Sequence, residues 1–221
     1  MSLFAACESL TLPTQCVGCG RWDTGLCDEC AALSGRFPDG WAILDGDGDD
    51  LPMWTLGDYE GSLRRILLAA KHRDRADTDA FLWRAGRTLG LSMSRSRMMG
   101  GAEDIWVVPA PSRWRRRWNG REVACVIAHG VARGIYEGCG VRVRLVQACA
   151  LRWGAGTQAG RSGAERRRGR AGTMRCRLMV PRQVEVVLVD DVVTTGATIR
   201  EMSRVMNARI VGVGALCHVA R

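Results

Sequence analysis

The sequence has little lysine and histidine, and it lacks long hydrophobic runs. Of its 221 residues only Lys71 is a lysine, and three are histidines. No stretch approaches the roughly 20 apolar residues of a membrane-spanning helix. The N-terminus, MSLFAACESLTLP, also lacks the basic start and long apolar core of a signal peptide. We therefore expect a cytoplasmic protein without a membrane span. The histidines form no HExxH-like arrangement, which argues against hydrolytic zinc chemistry.

Positive charge is plentiful but unevenly distributed. Residues 1–57 carry two arginines against nine acids, whereas residues 58–221 carry thirty basic residues against fourteen acids. The net charges of the two regions are therefore −7 and +16. A basic region of this kind favours a polyanionic partner, either nucleic acid or a phosphate-rich small ligand. The alternative is that arginine is simply a favoured residue whose charges are solvated.

Four of the ten cysteines form two CxxC motifs in the sequence CVGCGRWDTGLCDEC. Cys16 with Cys19, and Cys27 with Cys30, would each present two thiolates, and together they complete the closed four-sulfur site of a Zn²⁺ ion. Since no coordination position stays open, the metal would be structural and would supply folding energy to a short segment. The alternatives are a motif pair that has lost its metal, or a redox dithiol.

The remaining cysteines are scattered along the chain. In a cytoplasmic protein, cysteines favour metal binding or buried thiols over disulfides. Four of them lie in or near apolar segments and are predicted to be small core residues. These four are Cys125, Cys149, Cys176 and Cys217.

Apolar runs alternate with segments of helical periodicity in most of the chain. Strands are predicted at 53–56, 105–108, 141–146, 184–190 and 210–218; helices at 59–71, 78–92, 121–133 and 197–207; and one or two helical turns at 162–168. Alternating strands and helices predict an α/β fold with a parallel sheet flanked by helices. We assign residues 1–52 to a small zinc-ribbon-like module with an acidic linker, and residues 53–221 to the α/β domain.

The sequence VVLVDDVVTTGAT, at 186–198, joins a predicted buried strand to two acids and a small-residue loop. In open parallel sheets, ligands bind beyond the carboxyl ends of the strands. The loop opens a helix whose first amides have no intrahelical partner and can bind a phosphate. The adjacent carboxylates can accept hydrogen bonds from a sugar diol. The segment is neither a Walker motif nor GxGxxG. The alternative is a strand and turn that bind nothing.

VVLVDDVVTTGAT resembles the phosphoribosyl pyrophosphate (PRPP) motif of type I phosphoribosyltransferases. That motif is an apolar strand, two acids, two apolar residues and then [Thr/Ser]-Thr-Gly-x-Thr. The resemblance implies that Asp190 and Asp191 meet the ribose hydroxyls. It also implies that residues 194–198 surround the 5′-phosphate.

Further segments resemble the ComF family, which joins an N-terminal zinc module to a type I phosphoribosyltransferase-like domain. YEGSLRRILLAAKHRDR is similar to the family's Y-x-G-x-L-R-x-x-I-x-x-x-K, VVPAPSRWRRRWN to its PVP…R-x-R-G-F-N, and ALRWGAGTQAGRSGAERR to its L-x-R…T-x-x-Q…L-s-x-x-x-R. The chain departs from these patterns at Arg117, Gly120, Arg161 and Gly169. The resemblance implies catalytic roles for Asp190, Asp191 and Lys71. It implies PRPP binding by Asp190, Asp191, Val192, Val193, Thr194, Thr195, Gly196, Ala197, Thr198, Lys71, Pro111, Asn119 and Arg166.

The resemblance implies two different functions. One is displacement of pyrophosphate from ribose C1 by an unknown nitrogen acceptor, with Mg²⁺ accompanying PRPP. The alternative is a non-enzymatic protein that handles single-stranded DNA during DNA uptake in natural transformation, together with other uptake proteins. In that case PRPP would be a regulator or the pocket a relic. Homo-oligomerisation is a further candidate interaction.

Two segments, RWRRRWNGR and RSGAERRRGR, hold five arginines each. They could cover the diphosphate of PRPP, because arginine forks pair with phosphate oxygens. They could instead bind a nucleic-acid backbone while tryptophans stack on bases, or form solvated loops over packed tryptophans. The candidate nucleic-acid contacts are Arg113, Arg115, Arg116, Trp118, Arg167 and Arg168.

Overall fold

A computed structural model of the chain describes residues 14–38, 42–44, 50–72, 76–96, 103–112, 122–152 and 172–219. The strands are β1 (Ala42–Leu44), β2 (Leu51–Thr55), β3 (Asp104–Pro109), β4 (Arg142–Leu145), β5 (Cys149–Leu151), β6 (Met174–Cys176), β7 (Glu185–Val193) and β8 (Arg209–His218). The helices are α1 (Asp28–Ala32), a 3₁₀ turn (Leu33–Gly35), α2 (Gly61–His72), α3 (Ala76–Arg95), α4 (Val123–Cys139) and α5 (Ala197–Met206).

Six strands form one sheet in the order β1-β2-β8-β7-β3-β4. Five of them, from β2 to β4, are parallel, and β1 joins the edge antiparallel to β2. Strands β5 and β6 form a separate antiparallel ribbon. The predicted α/β class, a parallel sheet flanked by helices with an N-terminal cysteine cluster, is confirmed.

Strand β7 is buried on both faces of the sheet. Val187 and Val189 pack in the cluster that contains α2, α3 and α4 side chains. Val186 and Leu188 pack on the opposite face, with α5. A strand covered on both faces needs a continuous apolar run, which explains why these valines and leucine do not alternate with polar residues. This packing fixes the direction in which the carboxyl end of β7 points.

Helices α3 and α4 approach each other so closely that glycine is required at the contact. A Cβ atom added to Gly86 would overlap the carbonyl oxygen of Ile127, and one on Gly130 would overlap that of Trp83. Gly90 meets the α4 backbone in the same way. These contacts hold the two helices together as one layer against the sheet.

The N-terminal segment packs directly on α2 and α3. Cys16, Cys27 and Cys30 lie in the same buried cluster as Ile66 of α2. The buried Thr88 hydroxyl donates to the Ser34 carbonyl at 2.8 Å. The cysteine segment therefore shares a core with the helices, and the division at residue 52 stays a prediction.

The structure also departs from the predicted elements. Strand β7 continues three residues past the predicted end at Asp190, because Val192 and Val193 pair with Cys217 and His218 of β8. Helix α1, strand β1 and the β5–β6 ribbon were not predicted from the sequence. The predicted helical turns at 162–168 lie outside the described residues. None of the described helices is long and apolar enough to cross a membrane.

Candidate functional site

The two acids of the motif lie near the carboxyl end of β7, half-buried, and Lys71 reaches them from the last turn of α2. The Lys71 Nζ is 2.7 Å from Asp191 Oδ2, and the two side chains are only 14% and 18% exposed. The Asp190 carboxylate accepts a hydrogen bond from the Asp191 backbone N–H at 2.8 Å. The structure thus brings together all three residues predicted to be catalytic, in a partly desolvated group with a fixed orientation.

The loop after β7 leads directly into α5. Gly196 is the N-cap residue of this ten-residue helix, and as a glycine it has no side chain to cap the first amides. The first amides of such a helix point outward and, with the helix dipole, favour an anion. Thr194 is exposed and Thr195 half-buried on the way into the helix. The arrangement is suited to a phosphate or another small anion.

Gly196 is required by its backbone angle and by its neighbours. Its φ of 71° lies in the left-handed region that favours glycine. A Cβ atom there would also lie 2.6 Å from Leu44 Cδ1 of the edge strand β1. The loop therefore needs glycine at this position for two reasons, the backbone angle and the close approach of β1.

Arg200 of α5 adds a positive charge to the site that was not predicted from the sequence. Its guanidinium donates a hydrogen bond to the Thr195 carbonyl. One of its nitrogens would lie 3.1 Å from a Cβ atom on Gly196, so it stands against the loop. The position of Arg200 one turn after Gly196 in the predicted helix was the signal that could have identified it.

A second polar group, also missed, lies where β2 and β8 end. The Thr55 Oγ1 is 3.0 Å from His218 Nδ1, and His218 Nε2 is 3.4 Å from Asp58 Oδ1. His218 is paired in register with Val193, the residue before the loop. A cavity of about 710 Å³ opens here, with Phe37 also in its wall. Thr55 and His218 are the last residues of neighbouring parallel strands, which is where ligands of such sheets bind.

Some of the remaining predicted PRPP residues belong to the described part of the chain, and the others lie outside it. Val192 is half-buried and Val193 fully buried in the sheet, while Ala197 and Thr198 begin α5. Pro111 follows β3, where the Ala110 N–H donates to the Val189 carbonyl of β7. The following predicted contacts lie outside the described residues: Asn119 and Arg166, and the nucleic-acid candidates Arg113, Arg115, Arg116, Trp118, Arg167 and Arg168.

The four clustered cysteines converge on one point. Their sulfur atoms all lie within 4.8 Å of one another, with Cys27 Sγ 3.7 Å from Cys16 Sγ and 3.6 Å from Cys19 Sγ. Tetrahedral zinc with Zn–S bonds of about 2.3 Å places sulfurs at similar separations. A Cβ on Gly18 would lie 2.6 Å from Cys30 Sγ, so only glycine fits in this turn. The four residues could hold a metal ion, and they fit a closed structural zinc site.

The electrostatics of the cluster also favour a cation. Burial raises the pKa of Cys16, but hydrogen bonds from the backbone N–H groups of Cys27, Cys19 and Gly18 outweigh it and lower the pKa to about 6. Burial, together with the neighbouring thiols, raises the pKa of Cys30 to about 12. Four adjacent thiolates would repel one another, and a divalent ion removes that repulsion.

No family model and no curated protein matches this chain. The chemistry of the chain therefore rests on the geometry of its own residues. That geometry comprises two adjacent carboxylates, of which that of Asp191 contacts Lys71, and a helix N-terminus at Gly196 with Arg200 beside it. Both stand at the carboxyl edge of a parallel sheet, the edge where small anionic and sugar-bearing ligands bind in this class of fold.

Proposed function

We propose that this protein binds PRPP at the carboxyl edge of β7 as a phosphoribosyltransferase-like protein of the ComF type, and that its catalytic form would transfer the phosphoribosyl group to a nitrogen acceptor. The observation that carries the proposal is the 2.7 Å contact of Lys71 with Asp191, next to the loop that opens α5. Phosphate, ribose hydroxyls and diphosphate require different partners. A helix N-terminus, carboxylates and a cation meet these three needs within one site.

In the proposed complex the residues mainly position the substrate. The loop amides and threonine hydroxyls bind the 5′-phosphate, and Asp190 and Asp191 accept hydrogen bonds from the ribose hydroxyls. Lys71 has three donors, so it can stay on Asp191 while it donates to a diphosphate oxygen. Mg²⁺ bound with PRPP would offset the charge of the diphosphate as it leaves.

Transfer also requires space for a nitrogen acceptor beside ribose C1. The C1–O bond to the diphosphate breaks as the acceptor nitrogen bonds to C1, and pyrophosphate leaves. The open cleft at Thr55 and His218 is a candidate position for the acceptor, because His218 of β8 pairs with Val193, the residue before the loop. Holding both reactants in place is itself a large part of such catalysis.

Calorimetric titration with PRPP and Mg²⁺ tests the proposal. We expect one site per chain, and a loss of about 10- to 100-fold in affinity for Asp190→Asn, since each hydrogen bond to a charged group contributes about 1.5–3 kcal/mol. Asp77→Asn, an exposed position on α3, is the matched control and should bind normally. Absence of binding in the unaltered protein, or full affinity in Asp190→Asn, would overturn the assignment.

A second candidate function is the handling of single-stranded DNA, favoured by the net charge of +16 over residues 58–221. Binding through phosphates weakens with salt, with a log–log slope of about −0.7 for each phosphate neutralised on single strands. Affinity for an oligonucleotide should therefore fall steeply across a salt series and be unaffected by Asp190→Asn. Lack of binding at low salt, or binding independent of salt, would exclude this function.

A further inference from the structure

Two cysteines face each other across the β5–β6 ribbon. Cys149 and Cys176 are partners in its antiparallel register. The Arg177 N–H donates to the Ala148 carbonyl at 2.8 Å, which makes the neighbouring pair of residues hydrogen-bonded. Hydrogen-bonded and non-hydrogen-bonded pairs alternate along an antiparallel ladder. The cysteine pair is therefore non-hydrogen-bonded, the type in which the Cα atoms are about 4.5 Å apart and the side chains come closest.

This phase is the same at the other end of the ribbon. The Arg152 N–H donates to the Thr173 carbonyl at 2.8 Å, three pairs further along. The cysteine pair thus lies one position from the hydrogen-bonded pair Ala148–Arg177 and three positions from the hydrogen-bonded pair Arg152–Thr173. Because the two types of pair alternate, both counts place the cysteines in a non-hydrogen-bonded pair, where side chains are close. Disulfides form between residues whose Cα atoms are about 4.4–6.8 Å apart, so this backbone spacing suits one. The Cys176 thiol donates to the Leu178 carbonyl at 2.9 Å and must rotate away from it to reach Cys149.

The two thiols differ in accessibility. Cys149 is 6% exposed, whereas Cys176 is half-buried, and both are free thiols. Burial, and then the negative charge of a Cys176 thiolate, raise the pKa of Cys149 to about 12. Cys176 is therefore the thiol that an external reagent meets first.

We propose that Cys149 and Cys176 form a reversible cross-strand disulfide by exchange with a low-molecular-weight disulfide such as oxidised glutathione. The Cys176 thiolate attacks one sulfur of the small disulfide, whose S–S bond breaks and releases one thiol. Cys149 then loses its proton and attacks the Cys176 sulfur, which releases the second thiol. Two protein thiols are oxidised and one small disulfide is reduced to two thiols, so the exchange balances.

The ribbon is attached to the helix that follows the candidate phosphate loop. The buried Glu201 of α5 accepts a hydrogen bond from the Met174 N–H of β6 at 3.3 Å and pairs with Arg204 at 2.8 Å. Burial raises the pKa of Glu201, but Arg204 and the Met174 N–H outweigh it and hold the pKa below its ordinary value. A disulfide between β5 and β6 would therefore lie beside α5. In sequence it encloses the arginine-rich segment at 161–170.

Peptide mapping of the oxidised full-length chain tests the proposal. The protein is incubated at stepped ratios of oxidised to reduced glutathione, quenched in acid, alkylated and digested with trypsin. We expect a linked pair of peptides, 145–152 with 176–177, which dithiothreitol separates. Closing a loop of this size should also raise the melting temperature by about 5–10 °C. Cys139→Ser, which removes an exposed cysteine on α4, should leave the linkage intact.

Two variants and a denatured control make the result decisive. Cys176→Ser and Cys149→Ala should both lose the linked peptides and the rise in melting temperature. The same incubation in concentrated urea should give a mixture of linkages, because the register that pairs the two cysteines is then lost. Absence of the linked peptides from the folded protein would overturn the proposal. So would a Cys176 that stops at the glutathione adduct, or an equal yield of the linkage in urea.

Discussion

Replacement of Lys71 by methionine tests the centre of the candidate site most directly. At a separation of 2.7 Å the attraction of Lys71 to Asp191 is about 6 kcal/mol at an effective dielectric constant near 20. Desolvation of both groups offsets much of this attraction. Removing only the lysine leaves a carboxylate that is 18% exposed without its cation. Such a change costs about 3 kcal/mol, whereas removal of both charges costs less than the sum of the single changes.

Urea unfolding of a double-mutant cycle measures this coupling. We expect losses of about 3 kcal/mol for Lys71→Met and about 2 kcal/mol for Asp191→Asn, with a double variant about 2 kcal/mol more stable than additivity predicts. Arg84→Met, which removes an exposed positive charge from α3, should change the free energy of unfolding by less than about 0.5 kcal/mol. Additive effects, or a loss under about 1 kcal/mol for Lys71→Met, would refute the reasoning.

Three further predictions follow from packing, titration and metal binding. Gly86→Ala forces α3 away from α4 and should lower the free energy of unfolding in urea by about 3 kcal/mol. Gly35→Ala, where a Cβ meets nothing within 4 Å, should be nearly neutral. Equal effects of the two substitutions would contradict the close contact of the helices. Because the Glu201 pKa is lowered by folding, its stabilisation is present above its unfolded pKa of about 4.3 and is lost as pH falls through the folded pKa. The stability difference between the protein and Glu201→Gln should therefore be largest near pH 7 and shrink below about pH 4, and a pH-independent difference would contradict this. Metal analysis should find one Zn²⁺ per chain, lost in Cys27→Ser and retained in Cys139→Ser; a metal-free purified protein would remove the zinc assignment.

Local patterns in the sequence were sufficient for some parts of this molecule. The continuous apolar run before Asp190 predicted a doubly covered strand, and the spacing of the four cysteines predicted their convergence. Both depend on neighbours in sequence. The contact of Lys71 with Asp191 depends on how α2 lies against the sheet, so helical periodicity alone could not predict it. Its position was expected only from the resemblance to a family.

Other features lacked a sequence signal. Strands β5 and β6 have three residues each and are separated by 152–173, so neither shows a measurable alternation. The close contact at Gly86 and Gly130 could not be distinguished from two tolerated helix glycines, because its cause lies in the partner helix. His218 and Thr55 were read only as strand residues. Their proximity follows from the order of the strands, which the alternation of elements does not determine.

Helix α2 connects the cysteine cluster to the candidate sugar-phosphate site, and this connection can be measured. Arg65 of α2 donates a hydrogen bond to the Gly18 carbonyl, and Lys71 lies about 9 Å further along the same helix. A rigid helix held at both ends transmits a displacement of one end to the other. The coupling energy of Lys71 with Asp191, measured in a Cys27→Ser background, should therefore fall below its value in the unaltered chain. An unchanged coupling energy would mean that the buried contacts of Leu67 and Ala70 hold the last turn of α2 by themselves.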